Sequence, residues 1–261
     1  MRVKIVSGWS DPGGSSTANI NLTHLFNDNN IDCTFYGPHD WHLNKCKSGK
    51  LQNISIDPND TIISHFINPY GIKVRKHIYS CHEKQVRPLT NTDVTQYDTI
   101  HFINEAQKIW HSVDHPSVII PNVYDDLVPG KKRKSSKGVA GVIGSLDANK
   151  QADVSIRRAF EEGYHKVLLF GSGDREYFHE VIKKLPEFGK TVHWKRYEHN
   201  KQNMYNSVEA VFLSSKSEVD PFVRGECHLT GTKFYGNEHT NHGSLPLPKS
   251  EILEKWIKVL E

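Results

Sequence analysis

Short runs of β-branched and aromatic residues alternate with helical apolar stripes along this chain, and the alternation begins twice. The first start is RVKIVSG, an apolar run that ends in small residues. It leads into WSDPGGSSTANINLTHLFNDNN, where Gly13 and Gly14 precede a Ser/Thr cluster and Ile20, Leu22, Leu25 and Phe26 make an apolar stripe. IDCTFYG, DTIISHF, VRKHIYSCHE, YDTIHFIN and SVIIPNV follow as further strand-like runs. The second start is GVAGVIGSL; ANKQADVSIRRAFEEGY then reads as a helix with Ala152, Ile156, Ala159 and Phe160 on one face. KVLLFGSGD, TVHWKRY and EAVFLSS read as strands, REYFHEVIKKL and NKQNMYNSV as helices between them. Strands that alternate with helices predict parallel sheets, because parallel neighbours need a crossover connection. Two starts predict two doubly wound α/β units, with ligands outside the carboxyl ends of the strands.

The polar, basic segment YDDLVPGKKRKSSKG contains Pro-Gly and is read as a linker in preference to a nucleic-acid patch. The expected organisation is a first domain over 1–123, a linker over 124–138, a second domain over 139–246 and a terminal helix over 247–261. In that helix Leu253, Trp256, Ile257 and Leu260 share one face, and it is expected to pack back toward the first domain.

Composition narrows the function classes. Charged residues are 24% and hydrophobic residues 36% of the 261, with no apolar stretch long enough for a bilayer and no signal-peptide pattern at the start. A cytoplasmic protein is expected, with a peripheral position at a membrane as a variant. The net charge of +3 does not call for nucleic acid and suits an anionic substrate. The four cysteines form no CxxC pair, which speaks against a disulfide framework or a zinc knuckle. The sixteen histidines form no HExxH or HxH pattern and are read mostly as surface or loop residues, so no metal site is expected.

Three motifs invite chemistry. FGSGD places Gly171 and Gly173 after a strand but lacks the third glycine of a dinucleotide fingerprint, and a tight turn explains it equally well. DPGGSS precedes a helix and has the form of a phosphate cradle or of an ordinary glycine loop. SSKSEVDPFVRGECHLTG sets Glu218 and Glu226 on either side of seven residues. Pro221 implies an extended or turning backbone before it. Glu226 then opens a short helix that ends at Gly231. Two carboxylates so placed suit the two ends of one ligand, since a carboxylate accepts well from a vicinal diol. By spacing alone they are more simply capping or surface acids.

The ordered set of motifs resembles the retaining glycosyltransferases of family four, which have the GT-B fold, α/β with two Rossmann-like domains facing across a cleft. That family carries a Glu, seven residues and a second Glu after a strand. SDPGGSSTANINL is similar to its N-terminal glycine loop, IISHF and HIYSCHE to its two histidine-bearing strands, VIIPNVYDD to the segment before its linker, and GVIGSLDANKQADVSIRRAF and LLFGSGD to the start of its donor domain. The resemblance implies that Glu218 contacts the donor sugar, that Glu226 holds the nucleotide ribose and that Lys150 meets the diphosphate. It implies that the amides of Phe222 and Val223 and the loop at Gly13 and Gly14 also serve the phosphates, and that His82 lies near sugar and acceptor. The base would sit near residues 194–197. Where the family has an arginine this chain has Ser145, so phosphate neutralisation falls on Lys150, helped by Arg175 or Arg196. The implied reaction moves a sugar from a UDP- or GDP-sugar to an acceptor hydroxyl with retention and with no other cofactor. The acceptor is a glycan, lipid, protein or small molecule. A nucleotide-sugar 2-epimerase and a non-catalytic sugar-nucleotide-binding protein are the alternatives, and a dehydrogenase fits least.

Overall fold

The computed structural model describes residues 1–8, 13–38, 46–67, 73–82, 88–130, 134–196, 198 and 200–261. Within them the chain divides into unit 1, Met1–Asp125 with Pro246–Glu261, and unit 2, Asp126–Leu245.

Unit 1 is built on seven parallel strands, β1 (Arg2–Ser7), β2 (Asp32–Gly37), β3 (Ser48–Lys50), β4 (Thr61–His65), β5 (Lys76–Cys81), β6 (Thr99–Phe102) and β7 (Ser117–Ile119), in the order β3-β2-β1-β4-β5-β6-β7. Helix α1 (Gly14–Asp28) connects β1 to β2, and α2 (Asn91–Val94) and α3 (Glu105–His111) flank β6. Covered parallel sheets bury strands on both faces, so their strands read as continuous apolar runs. Every residue of β4 is buried, as is β1 from Val3 to Ser7.

Unit 2 has β8 (Val139–Ile143), α4 (Ala152–Glu161), β9 (Lys166–Phe170), α5 (Arg175–Tyr177), β10 (Val192–Arg196), α6 (Lys201–Asn206), β11 (Ala210–Phe212), α7 (Phe222–Thr230) and β12 (Lys233–Tyr235). A π-type turn over Phe178–Ile182 prolongs α5. The five strands are parallel in the order β10-β9-β8-β11-β12. Strand order reverses at β1/β4 in one sheet and at β8/β11 in the other, and each reversal opens a crevice at the carboxyl ends of the strands.

The chain then returns to unit 1 as α8 (Lys249–Leu260). Ile252, Trp256, Val259 and Leu260 are its buried residues. The inward face is therefore turned from the expected one, with Ile252 and Val259 inside and Ile257 half-buried. Residues i, i+4, i+7 and i+8 fall on one stripe, and this phase sets the Trp256 indole edge-on against Phe26, ring centroids 5.9 Å apart.

Two further expectations change. Tyr124 and Leu127, in the segment read as a linker, are buried, and Leu127 packs into a core cluster of unit 2 with Tyr205 and Cys227; residues 131–133 of that segment lie outside the described ones. His65, His77, His101 and His111 are buried, not superficial. The first three sit on β4, β5 and β6, where both faces of the sheet are covered and a strand residue is interior whatever its type.

Candidate functional site

At the switch point of unit 2, β8 ends in a loop that the side chain of Asp147 shapes. Its carboxylate accepts the N–H groups of Asn149 at 2.9 Å and Lys150 at 2.8 Å, an Asx turn that fixes where Lys150 begins. The loop after β11 is tied to it, because the Lys216 N–H donates to the Asn149 carbonyl at 2.8 Å. The Lys150 ammonium forms an ion pair with Glu218, their side chains 28% and 12% exposed. A partly exposed pair is worth on the order of 1 kcal/mol or less.

Helix α7 starts earlier than expected. Pro221 is its N-cap, with φ −69°, and Phe222 and Val223 are its first two residues. Pro221 is itself extended, ψ 112°, and its fixed φ and lack of an N–H suit that place at the start of a helix, which begins at the next residue. Glu226 is consequently in the second turn, not at the N-terminus, and the first-turn amides belong to Phe222 and Val223. Gly231 ends the helix in the left-handed conformation, φ +65°.

The Glu226 carboxylate is 3% exposed. Its Oε1 accepts from the Lys201 ammonium at 2.7 Å and its Oε2 from the Tyr205 hydroxyl at 2.6 Å. Both partners come from α6, one turn apart, where i and i+4 share a face. A buried carboxylate without such partners would carry a desolvation cost of several kcal/mol. Nearby, Arg158 of α4 donates to Ser214 Oγ and to the Gly236 carbonyl, both at 2.9 Å, which fastens the carboxyl end of β11. Arg158, Lys201 and Tyr205 were not singled out from the sequence. The spacing of Lys201 and Tyr205 on a helix was visible, but nothing local connects them to an acid more than twenty residues away.

The glycines of FGSGD serve packing. Gly171 has φ +137°, and a Cβ there would lie 1.9 Å from the Gly144 carbonyl oxygen; at Gly173 it would lie 2.6 Å from the Leu146 nitrogen. The turns after β8 and β9 thus touch backbone to backbone, which answers the dinucleotide question in favour of a tight turn. Arg196 lies 5.5 Å over the Trp194 ring, and the Trp194 indole donates to the Gly171 carbonyl at 2.9 Å. Arg175 opens α5, and Tyr197 lies outside the described residues.

In unit 1, Gly13 is the N-cap of α1 with extended backbone and Gly14 its first residue; residues 9–12 of the glycine loop lie outside the described ones. The first turn of α1 holds no acidic residue and Gly13 makes no side-chain cap, an arrangement open to an anion. His82 follows β5 directly. Its ring lies 5.0 Å from that of His65 and 6.0 Å from that of His101. Its Nε2 is 2.9 Å from Ser80 Oγ, which is in turn 2.8 Å from His101 Nδ1. Burial, then the neighbouring His65 and His101, lower the His82 imidazole well below its ordinary value. Burial pushes His101 down to about 4. Glu83, part of the quoted HIYSCHE, lies outside the described residues.

The expected residues thus form groups by unit: Lys150 with Glu218, and Phe222, Val223 and Glu226 together on α7, in unit 2; Gly13 with Gly14, and separately His82, in unit 1. Among the described residues no cluster of three or more His, Cys, Asp or Glu is arranged to hold a metal ion. Among them also, no helix is long and apolar enough to cross a membrane.

No protein-family model matches the sequence, and no curated protein sequence does. Solved structures do match in fold. HepE of Anabaena, in complex with UDP and glucose, superposes with a TM-score of 0.70 at 13% identity, over 100% of this chain and 90% of that one. TarM, known from S. aureus, gives 0.69 at 9% identity over 100% and 91%. AviGT4, a glycosyltransferase of avilamycin A biosynthesis, gives 0.59 at 15% identity over 98% and 88%. Two parallel sheets of Rossmann order and these likenesses give the chain the fold of the GT-B glycosyltransferases.

Proposed function

We propose that this GT-B chain is a glycosyltransferase that moves a sugar from a nucleotide-diphospho-sugar to an acceptor hydroxyl with retention of configuration. The observation that carries the reading is the Lys150–Glu218 pair at the β8/β11 switch point, with the start of α7 directly after it. The carboxyl-end crevice is where doubly wound sheets bind nucleotides. A cation, helix amides and two acids there match the parts of a sugar nucleotide. HepE has been crystallised with UDP and UDP-glucose, which favours a UDP-sugar over a GDP-sugar as donor.

In this reading Lys150 leaves Glu218 for the diphosphate and, with the Phe222 and Val223 amides, stabilises the charge that grows on the leaving oxygen. The glycosidic C–O bond to phosphate breaks, and the acceptor oxygen bonds to the same face of the anomeric carbon. The acceptor proton passes to the departing phosphate oxygen. No step calls for a metal. Glu218, released from Lys150, holds sugar hydroxyls and favours positive charge at the ring. Glu226 accepts from the ribose diol, taking the place of one of its α6 partners. Gly13 and Gly14 are assigned to the phosphates and His82 to sugar or acceptor, as the family resemblance implies. We place the protein in the cytoplasm, where thiols such as its four buried cysteines stay reduced.

A thermal-shift screen of UDP-, GDP-, dTDP- and ADP-sugars tests donor binding, since a ligand of the native state raises its apparent stability. Product analysis by NMR then separates transfer from 2-epimerisation. A sugar nucleotide that binds without turnover would point to a non-catalytic binding protein.

A further inference from the structure

Three imidazoles gather near the carboxyl ends of β4, β5 and β6, and one hydrogen-bond chain runs through two of them. It starts at the Ile120 carbonyl, 2.7 Å from His101 Nε2. A carbonyl only accepts, so His101 Nε2 carries a proton. His101 is 3% exposed and its ring packs on Trp256, centroids 4.7 Å apart, an environment that favours the neutral imidazole. A neutral ring has one N–H, so His101 Nδ1 is an acceptor. Ser80 Oγ, 2.8 Å away, must then donate its single proton to it. With that proton spent, Ser80 Oγ accepts from His82 Nε2 at 2.9 Å. Neutral His82 is therefore protonated on Nε2, and its Nδ1 is left as the basic nitrogen. The polarity of the whole chain follows from one carbonyl and a neutral His101.

We propose that Ser80 and His101 are positioning residues that fix His82 in its Nε2–H tautomer and so present Nδ1 as a hydrogen-bond acceptor to a sugar or acceptor hydroxyl. The second half of this statement rests on the glycosyltransferase reading; the first half does not. The device uses the logic by which an orienting partner sets the tautomer of a catalytic histidine. His65, whose Nδ1 is 3.0 Å from Ser7 Oγ, packs edge-on against the His82 ring with centroids 5.0 Å apart. Helix α8 contributes through Trp256, which keeps water from His101.

Long-range ¹⁵N–¹H NMR of histidine-labelled protein near neutral pH reads the tautomer directly. The expected result is an Nε2–H, Nδ1-bare His82 in the wild type and a mixture of tautomers in Ser80→Ala. Ser80→Thr, which keeps the hydroxyl, restores the single tautomer. Turnover is expected to fall about tenfold in Ser80→Ala with the donor KM nearly unchanged, and to recover in Ser80→Thr. An Nδ1–H His82 in the wild type, or an unchanged tautomer in Ser80→Ala, overturns the inference without touching the transferase reading. The expected tautomer with no sugar transfer by the wild type instead overturns the transferase reading and, with it, the role given to Nδ1. A tautomer shift in Ser80→Ala that leaves turnover unchanged also overturns that role.

Discussion

Lys150 and Glu218 neutralise one another at the carboxyl edge of the second sheet, although 68 residues separate them in sequence. The Asx turn at Asp147 and the bond between Lys216 and Asn149 bring their loops together before any ligand arrives. A partly exposed pair of this kind is a store of two charges that a ligand can separate. Lys150→Ala should therefore lower kcat by about 10²-fold, the typical loss of one group that stabilises a leaving anion. Its stability should change by less than about 1 kcal/mol. Steady-state kinetics and urea unfolding of the same preparation check both statements.

Glu226 should behave differently from Glu218. Glu226→Ala is expected to raise the donor Kd by about tenfold or more with a smaller effect on kcat, whereas Glu218→Ala acts mainly on kcat. Tyr205→Phe keeps the carboxylate and Lys201 but removes one charge-assisted hydrogen bond in a buried setting. It should cost about 1–3 kcal/mol of stability. Calorimetric titration with the preferred donor and thermal unfolding separate the binding role from the structural one.

Acid should destabilise the fold through imidazoles that burial keeps neutral, His77 and His101 among them. Burial lowers His77 and His101 to about 4, against an ordinary value of 6.5. The unfolded chain therefore binds more protons than the folded one between those values, and stability rises with pH across that window. The contribution is complete above pH 6.5 and is lost as the pH falls toward 4. Its size is on the order of 3 kcal/mol per residue at most. Urea midpoints measured from pH 7 to pH 4.5 should fall steadily, and His77→Phe should flatten the slope.

Helix α8 should be indispensable to unit 1. Trp256 is 1% exposed and touches Phe26 and His101. Trp256→Ala should cost about 3–5 kcal/mol, the range for emptying a large aromatic site. Thermal unfolding followed by circular dichroism provides the check.

Much of this architecture was legible because covered parallel strands are largely apolar and β-branched, so runs such as the VKIVS of β1 and the IISH of β4 announce themselves. β3 and β12 were not seen. Each has three residues, SGK and KFY, too few for a pattern, and each lies at the edge of its sheet, where only one neighbour orders it. The start of α7 lies four residues before Glu226 because an extended Pro221 also caps a helix, and only the burial of Gly225, Glu226 and Cys227 shows that the helix begins directly after it. In the site, the two acids stood out as a spaced pair, while their reading as ligand contacts, and Lys150 altogether, came from the family resemblance. Their supports did not, because Tyr205 meets Glu226, and Ser80 meets His101, only through the three-dimensional fold. The histidines at strand ends were present in ISH and SCH, and their placement at the end of buried runs was the available signal.

The most direct test compares nucleotide diphosphate release, by hydrolysis or transfer, for wild type, Lys150→Ala and Glu218→Ala against a panel of nucleotide-sugars. The account predicts that the wild type turns over at least one donor and that both variants are slower by about 10²-fold or more. Release by the variants at the wild-type rate would contradict it, as would a wild type that releases nucleotide from no donor.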